Sequence, residues 1–203
     1  MSRLRFWVDF ARLRLASWTS LAFGSLRASL APRCACRAAL GLALLLPSAC
    51  VRDLVAEAGG WRSTRDGYRI GEPGEGWERF DLEGAALAFR HGKSETISLQ
   101  TRCGRPVASP EIMARHLMIG IPERTLRQAG PFQVAGRSGW TQIWDARLEE
   151  RTVRVQTVTL VTTDCAYDFL VVAAGEPEMA QRDFVAWVES FALAGADTAG
   201  RAP

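Results

Sequence analysis

Three strand-length runs between residues 140 and 174 constrain the fold of this chain more than any other feature. The run 140–148 mixes apolar and polar residues in partial alternation, and 152–163 is dominated by valine and threonine, which favour a half-buried pleated surface. The run 165–174 carries apolar residues on both faces, as a central strand does. Charged residues 149–151 fall at the tip of a predicted hairpin. We therefore predict an antiparallel meander at the centre of the domain.

An apolar run that ends at Cys50 predicts export. Residues 38–49 read AALGLALLLPSA and follow an arginine-rich segment, and the run is too short to span a bilayer. Residues Leu46 to Cys50 resemble the bacterial lipobox, where signal peptidase cuts before a lipid-modified cysteine; Pro47 departs from the leucine that is usual there. The resemblance implies a signal peptide over 1–49, a diacylglyceryl and palmitate-type modification of Cys50, and a membrane anchor in the bacterial cell envelope.

The segments before and after the apolar run leave two points open, namely the nature of the N-terminal segment and the membrane that holds the protein. Residues 1–33 hold many arginines and one acid, which fits a long signal or a misassigned start, and also fits an organellar transit peptide. After the cysteine, Val51 and Arg52 lack the aspartate that marks inner-membrane retention in enterobacterial lipoproteins. The resemblance therefore favours the outer membrane, with the domain in the periplasm.

Removal of the signal reverses the sign of the net charge. The whole chain has 25 basic and 22 acidic residues, and removing the seven arginines and one aspartate of the signal leaves 18 and 21, a formal charge of −3. Nucleic-acid binding requires clustered basic residues that neutralise several phosphates. We therefore expect no nucleic-acid partner.

The predicted cleavage site separates the cysteines that leave with the signal from those that remain in the mature chain. Cys34 and Cys36 leave with the signal and Cys50 carries the lipid, so that Cys103 and Cys165 remain. Two thiols in an exported domain predict a disulfide. Two buried free cysteines are the alternative, and a catalytic thiol is disfavoured because no histidine lies near either cysteine in sequence.

The domain limits follow from composition. We predict a lipidated tether without a fold of its own over 50–66, one domain over 67–194 and a disordered tail over 195–203. Short strands are predicted at 77–82 and 86–89, and a clearer one at 96–103.

Two helices are predicted. The first begins with Ser109 as cap and Pro110 in its first turn, runs to Met118 or Ile119, and has a further helical turn at 123–128. Its predicted buried side chains are Ile112, Met113, His116 and Leu117. The closing helix extends from Glu178 to about Leu193. Its predicted buried side chains are Phe184, Trp187, Val188 and Phe191.

This order of elements predicts an α+β fold in which helices cover an antiparallel sheet. It resembles the PsbP-like fold over residues 68–193. The resemblance rests on Gly76-Trp77 before the first strands, the helix after Ser109, the Gly136 turn and the Val188 to Phe191 segment. It is also similar to uncharacterised bacterial envelope lipoproteins. PsbP-like proteins are mostly non-enzymatic assembly or binding proteins, so the resemblance implies a binding module.

No catalytic, cofactor or metal motif stands out. His91 and His116 are the two histidines, and a zinc site would have to recruit Glu95, Asp164 or Asp168 from elsewhere in the sequence. We therefore predict no metal, no cofactor and no catalytic residues.

Trp140 and Trp144 form the candidate partner surface. They share a strand face, and they would line an exposed groove if the closing helix covered the other face of the sheet. The alternative is that they pack in the main core with Phe191.

Three functional hypotheses follow. The first is a lipid-anchored, non-catalytic envelope module that binds or assembles with a protein partner. The second is a small envelope hydrolase or metal-dependent enzyme, in which His91 or His116 would meet carboxylates in a pocket, so that replacing both histidines would abolish function. The third is an apolar-ligand-binding domain, which requires a deep apolar cavity between the sheet and the closing helix.

Overall fold

A computed structural model of the protein describes residues 54–104, 108–121, 123–148, 150–174 and 177–194. The predicted signal, Cys50, the tail and residue 149 of the hairpin tip lie outside the described residues. The elements are β1 (Leu54–Glu57), β2 (Gly60–Ser63), β3 (Tyr68–Gly71), β4 (Trp77–Arg79), β5 (Leu87–His91), β6 (Glu95–Cys103), α1 (Pro110–Leu117), β7 (Arg124–Val134), β8 (Arg137–Leu148), β9 (Arg151–Val161), β10 (Cys165–Ala173), α2 (Pro177–Glu189) and β11 (Ala192–Leu193).

The large sheet contains seven strands in the order β4-β5-β6-β10-β9-β8-β7, and all neighbours are antiparallel. β8, β9 and β10 form the predicted meander. β10 lies between β6 and β9 and is buried along almost its whole length, as a strand with apolar residues on both faces requires. α1 packs on one face and α2 on the other, which confirms the α+β fold with a helix-covered antiparallel sheet.

A second, small sheet in the order β1-β2-β3-β11 corrects the expectation that residues up to 66 lack a fold. Gly59 has a φ of +78° and turns the chain between β1 and β2, a conformation that favours glycine. At Gly60, an added Cβ would lie 2.3 Å from the carbonyl oxygen of Ile70, so β2 approaches β3 closely only without a side chain there. Residues 54–66 therefore belong to the folded domain.

α2 covers the main core. Phe184, Trp187 and Val188 are buried as predicted, and each contributes roughly 2 kcal/mol through burial. The Trp187 indole also donates to the carbonyl of Gly71, at 2.9 Å. The helix ends at Glu189 rather than near residue 193, because β11 pairs with β3.

α1 covers the opposite face. Ser109 caps it by accepting from the backbone N–H of Ile112, at 3.4 Å, as predicted. Ala114 and Met118 are the buried side chains, whereas Ile112 is 43% exposed and His116 is exposed, so the predicted buried face is wrong for these two. Positions two residues apart in sequence are separated by about 200° around a helix. Because Ala114 and Met118 point to the sheet, Ile112 and His116 point away from it.

β7 occupies residues where a helical turn was predicted. Arg124 pairs with Ala146 and Leu126 with Trp144, so ladder pairing with β8 overrides the helix-favouring side chains of this segment. A bulge lies between Leu126 and Gln128. Pro131 is compatible with this strand because β7 forms the edge of the sheet.

Cys103 and Cys165 are paired in register at the ends of β6 and β10 and are joined by a disulfide. The bond closes a loop with a sequence separation of 62 residues.

Candidate functional site

Trp140 and Trp144 lie on the face of the large sheet that carries α1. Trp144 packs against the α1-side core, whereas Phe191 belongs to the α2-side core. The alternative in which both tryptophans pack with Phe191 is therefore wrong. Because side chains alternate along a strand, Gln142 shares their face and Ile143 points to the α2 side.

Contacts across β8 and β7 define what we call the tryptophan surface, formed by Trp140, Gln142, Trp144, Arg124 and Leu126. The Trp144 indole donates to Gln142 Oε1 at 3.2 Å, and the Arg124 guanidinium lies 5.7 Å from the Trp144 ring centroid. Leu126 is opposite Trp144 and is 46% exposed. Both tryptophans are half-buried, so part of each ring is accessible from solvent. The buried indole N–H of Trp140 has no hydrogen-bond partner among the described residues.

A buried polar cluster continues this face toward β6. Thr159 is opposite Trp140 and donates to Asp168 Oδ1 at 2.8 Å, and Arg102 also pairs with that carboxylate. Thr157 is fully buried, and its hydroxyl has no partner in the part of the chain that the structure describes. Alternate threonines in β9 are the sequence signal for this cluster.

His91 meets one carboxylate. Its Nδ1 lies 2.7 Å from Glu95 Oε2, and Glu95 is only 5% exposed. The ring centroid of Trp77 lies 5.5 Å from that of the imidazole, and a Cβ on Gly76 would lie 2.9 Å from His91 Nε2. His116 is exposed on α1, on the other face of the sheet. Across the described residues, no three metal-ligating side chains converge.

An open groove lies beside α2, where the helix leaves part of β8 and β9 uncovered. We call it the α2 groove. Its volume is about 490 Å³, and its lining is Ile143, Gln156, Gln181, Arg182, Val185, Ala186 and Glu189. It is shallower than the deep cavity that the apolar-ligand hypothesis requires. The side-chain nitrogen of Gln181 is buried and has no partner within the described chain. Gln156, a polar residue among the valines of β9, is the sequence signal for this groove.

An ion-pair network occupies positions adjoining the groove near the start of α2. Asp145 accepts from Arg127 at 2.6 Å and from Arg154 at 3.2 Å, and Arg154 also lies 3.6 Å from Glu178. The hydrogen bond from Arg127, followed by the one from Arg154, lowers the pKa of Asp145 against the opposing effect of burial. Asp145 and Arg154 lie on the same face as Ile143 and Gln156, two residues along their strands.

The comparisons with known proteins show the fold. No protein-family model matches the chain, and no curated protein matches its sequence. The structure is similar to the solution structure of cyanobacterial PsbP (CyanoP) from Synechocystis sp. PCC 6803, with a TM-score of 0.53 and 15% identity over 72% of this chain and 95% of that one. LpqN, involved in cell envelope biogenesis of Mycobacterium tuberculosis, gives a TM-score of 0.47 and 13% identity over 63% of this chain and 83% of that one. The chain has a PsbP-like fold.

Within the part of the chain that the structure describes, no helix combines the length and apolar composition needed to cross a bilayer.

Proposed function

We propose that this protein is a non-catalytic module of the bacterial cell envelope, anchored by lipid on Cys50, whose domain binds a protein partner. The lipobox-like sequence before Cys50 supports the anchor, and the absence of an aspartate at Val51 and Arg52 supports the outer-membrane location. The PsbP-like fold supports a binding or assembly role, as the sequence resemblance implied.

The tryptophan surface is the observation that carries the proposed partner binding. Tryptophan and arginine are enriched among the residues that dominate interface energetics, and the Arg124 guanidinium lies within cation–π distance of the Trp144 ring. Trp140 adds a second half-buried indole to the same face. Leu126 supplies exposed apolar area on the edge strand beside them.

The hydrolase alternative rests on the His91 to Glu95 pair. Trp77 and Gly76 lie beside the imidazole, and across the described residues no three metal-ligating side chains converge there. We therefore propose that the pair is structural. Replacing His91 and His116 together with glutamine should leave partner binding intact.

Site-specific photocrosslinking in intact cells tests the partner surface. A photoreactive phenylalanine analogue replaces Leu126, which is 46% exposed, or Val55, a matched apolar position that is 38% exposed on the small sheet. We expect a discrete crosslinked envelope protein from position 126 only, and its loss when Trp144→Ala is added. Equal crosslinking from both positions, or none from 126, would contradict the proposed surface.

A further inference from the structure

The α2 groove is lined by three aliphatic side chains, two glutamine amides and two charged residues. Ile143 and Val185 provide the apolar surface, and Gln156 is 6% exposed beneath them. The buried nitrogen of Gln181 makes no hydrogen bond within the described residues. An unsatisfied buried donor destabilises a folded protein, and a rotamer change of Gln181, which lines the groove, would bring this donor to an acceptor on a ligand.

The dimensions of the groove match a short stretch of extended chain. Its helical wall runs from Gln181 to Glu189, which spans about 12 Å at the helical rise per residue. An extended peptide covers that length with roughly four residues.

The chemistry favours a peptide over an acyl chain. A primary amide both donates and accepts hydrogen bonds, as the peptide group does, so two glutamines can pair with successive backbone amides. The groove is open to solvent along its length, which would leave one side of an acyl chain in water. An extended peptide instead presents alternate side chains to opposite sides.

The rim adds opposite charges. Arg182 and Glu189 line the groove seven positions apart on α2, about 10 Å along the helix axis. We propose that the α2 groove binds an extended peptide segment with aliphatic central residues, an acidic residue near Arg182 and a basic residue near Glu189. This site lies on the α2 side and is independent of the tryptophan surface, so it goes beyond the proposed partner binding.

Nuclear magnetic resonance of the isotope-labelled full chain carrying Cys50→Ser tests the groove. The probes are the capped tetrapeptide Glu-Val-Val-Lys, its charge-mismatched analogue Lys-Val-Val-Lys, and decanoate. We expect the first peptide to shift the side-chain amide signals of Gln156 and Gln181 saturably, and to leave those of exposed Gln133 unchanged. The mismatched peptide should bind about two- to fivefold more weakly.

Two variants separate binding from structure. Gln181→Leu should weaken the peptide affinity roughly three- to tenfold while raising Tm, because it removes both a ligand bond and an unsatisfied donor. The matched control Gln133→Leu should change neither quantity. Ala186→Trp, at an exposed position of the lining, should abolish peptide binding without unfolding the chain.

Three outcomes overturn the inference: no shift with the matched peptide, shifts of the groove signals by decanoate but not by the peptide, or an unchanged peptide affinity in Gln181→Leu. None of these would alter crosslinking from position 126, so a failure here is distinguishable from a failure of the proposed partner surface.

Discussion

Tyr68 and Tyr167 pack edge to face with ring centroids 6.0 Å apart, and they differ in how their hydroxyls are satisfied. The Tyr167 hydroxyl donates to the backbone carbonyl of Asp66 at 2.7 Å, whereas the buried hydroxyl of Tyr68 has no partner among the described residues. The pair joins the small sheet to β10, because Tyr68 belongs to β3.

Replacing each tyrosine by phenylalanine should therefore have different effects. Tyr167→Phe removes a hydrogen bond and leaves the Asp66 carbonyl without this donor, so we expect the free energy of unfolding to fall by about 1 kcal/mol. Tyr68→Phe removes an unsatisfied buried hydroxyl and should be neutral or stabilising. Urea unfolding of the two variants measures the difference, and a larger loss for Tyr68→Phe would contradict the assigned contacts.

Alkaline pH should destabilise the domain through the same pair. Burial, followed by the charge of Asp66, raises the pKa of Tyr167 from its ordinary 10.0 to about 12, and raises that of Tyr68 further. Because the folded-state pKa values are raised, the stabilisation is complete below pH 10 and is lost as the pH rises toward 12 and beyond.

These are the only two tyrosines in the chain, so tyrosinate absorbance reports on them alone. We expect tyrosinate to form together with the loss of circular dichroism. A complete tyrosinate transition near pH 10 in a protein that stays folded would contradict the burial of both rings.

Loss of the disulfide should cost about 4 kcal/mol of unfolding free energy. A loop with a sequence separation of 62 residues restricts the unfolded chain by that amount in the chain-entropy model. Denaturant unfolding with and without reductant measures the cost. The double variant Cys103→Ala with Cys165→Ala is the control, because it should no longer respond to reductant.

Asp145 should stabilise the domain only above acidic pH. Its pKa is lowered from 3.8, chiefly by the hydrogen bond from Arg127, so its contribution is present above that ordinary value and is lost as the pH falls through the folded-state pKa. Asp145→Asn should lower the free energy of unfolding by about 1 kcal/mol at neutral pH and by less at acidic pH. A loss that is equal at both pH values would contradict the charged interaction.

Gly60→Ala should test whether residues before 67 belong to the domain. The added Cβ would meet the Ile70 carbonyl oxygen at 2.3 Å, and the strain should cost more than about 2 kcal/mol. Gly130→Ala, where a Cβ would meet nothing within 4 Å, is the matched control. Equal thermal stability of the two variants would indicate that β2 is not integral to the fold.

Local patterns predicted the meander and the buried face of α2 because each repeats over many residues. Phe184, Trp187 and Val188 recur at helical spacing, and the valines and threonines of β9 fit a pleated strand. The order of these elements predicted a helix-covered antiparallel sheet, and this order resembles the PsbP-like fold.

Features that depend on tertiary pairing could not be predicted in this way. β2 contains Gly60 and Arg62 and reads as a polar linker, yet it pairs along its length with β3. β7 has helix-favouring residues, and only its pairing with β8 makes it a strand. The α2 groove combines residues from β8, β9 and α2, so no single stretch of sequence reveals it.

The intact mass of the protein isolated from its own membranes shows whether it is a lipid-anchored envelope module. We expect a chain that begins at Cys50, carries a lipid adduct, and gains about two daltons on reduction as the Cys103 to Cys165 bond opens. A mass that retains residues before Cys50, or a chain without lipid, would contradict the anchored envelope module.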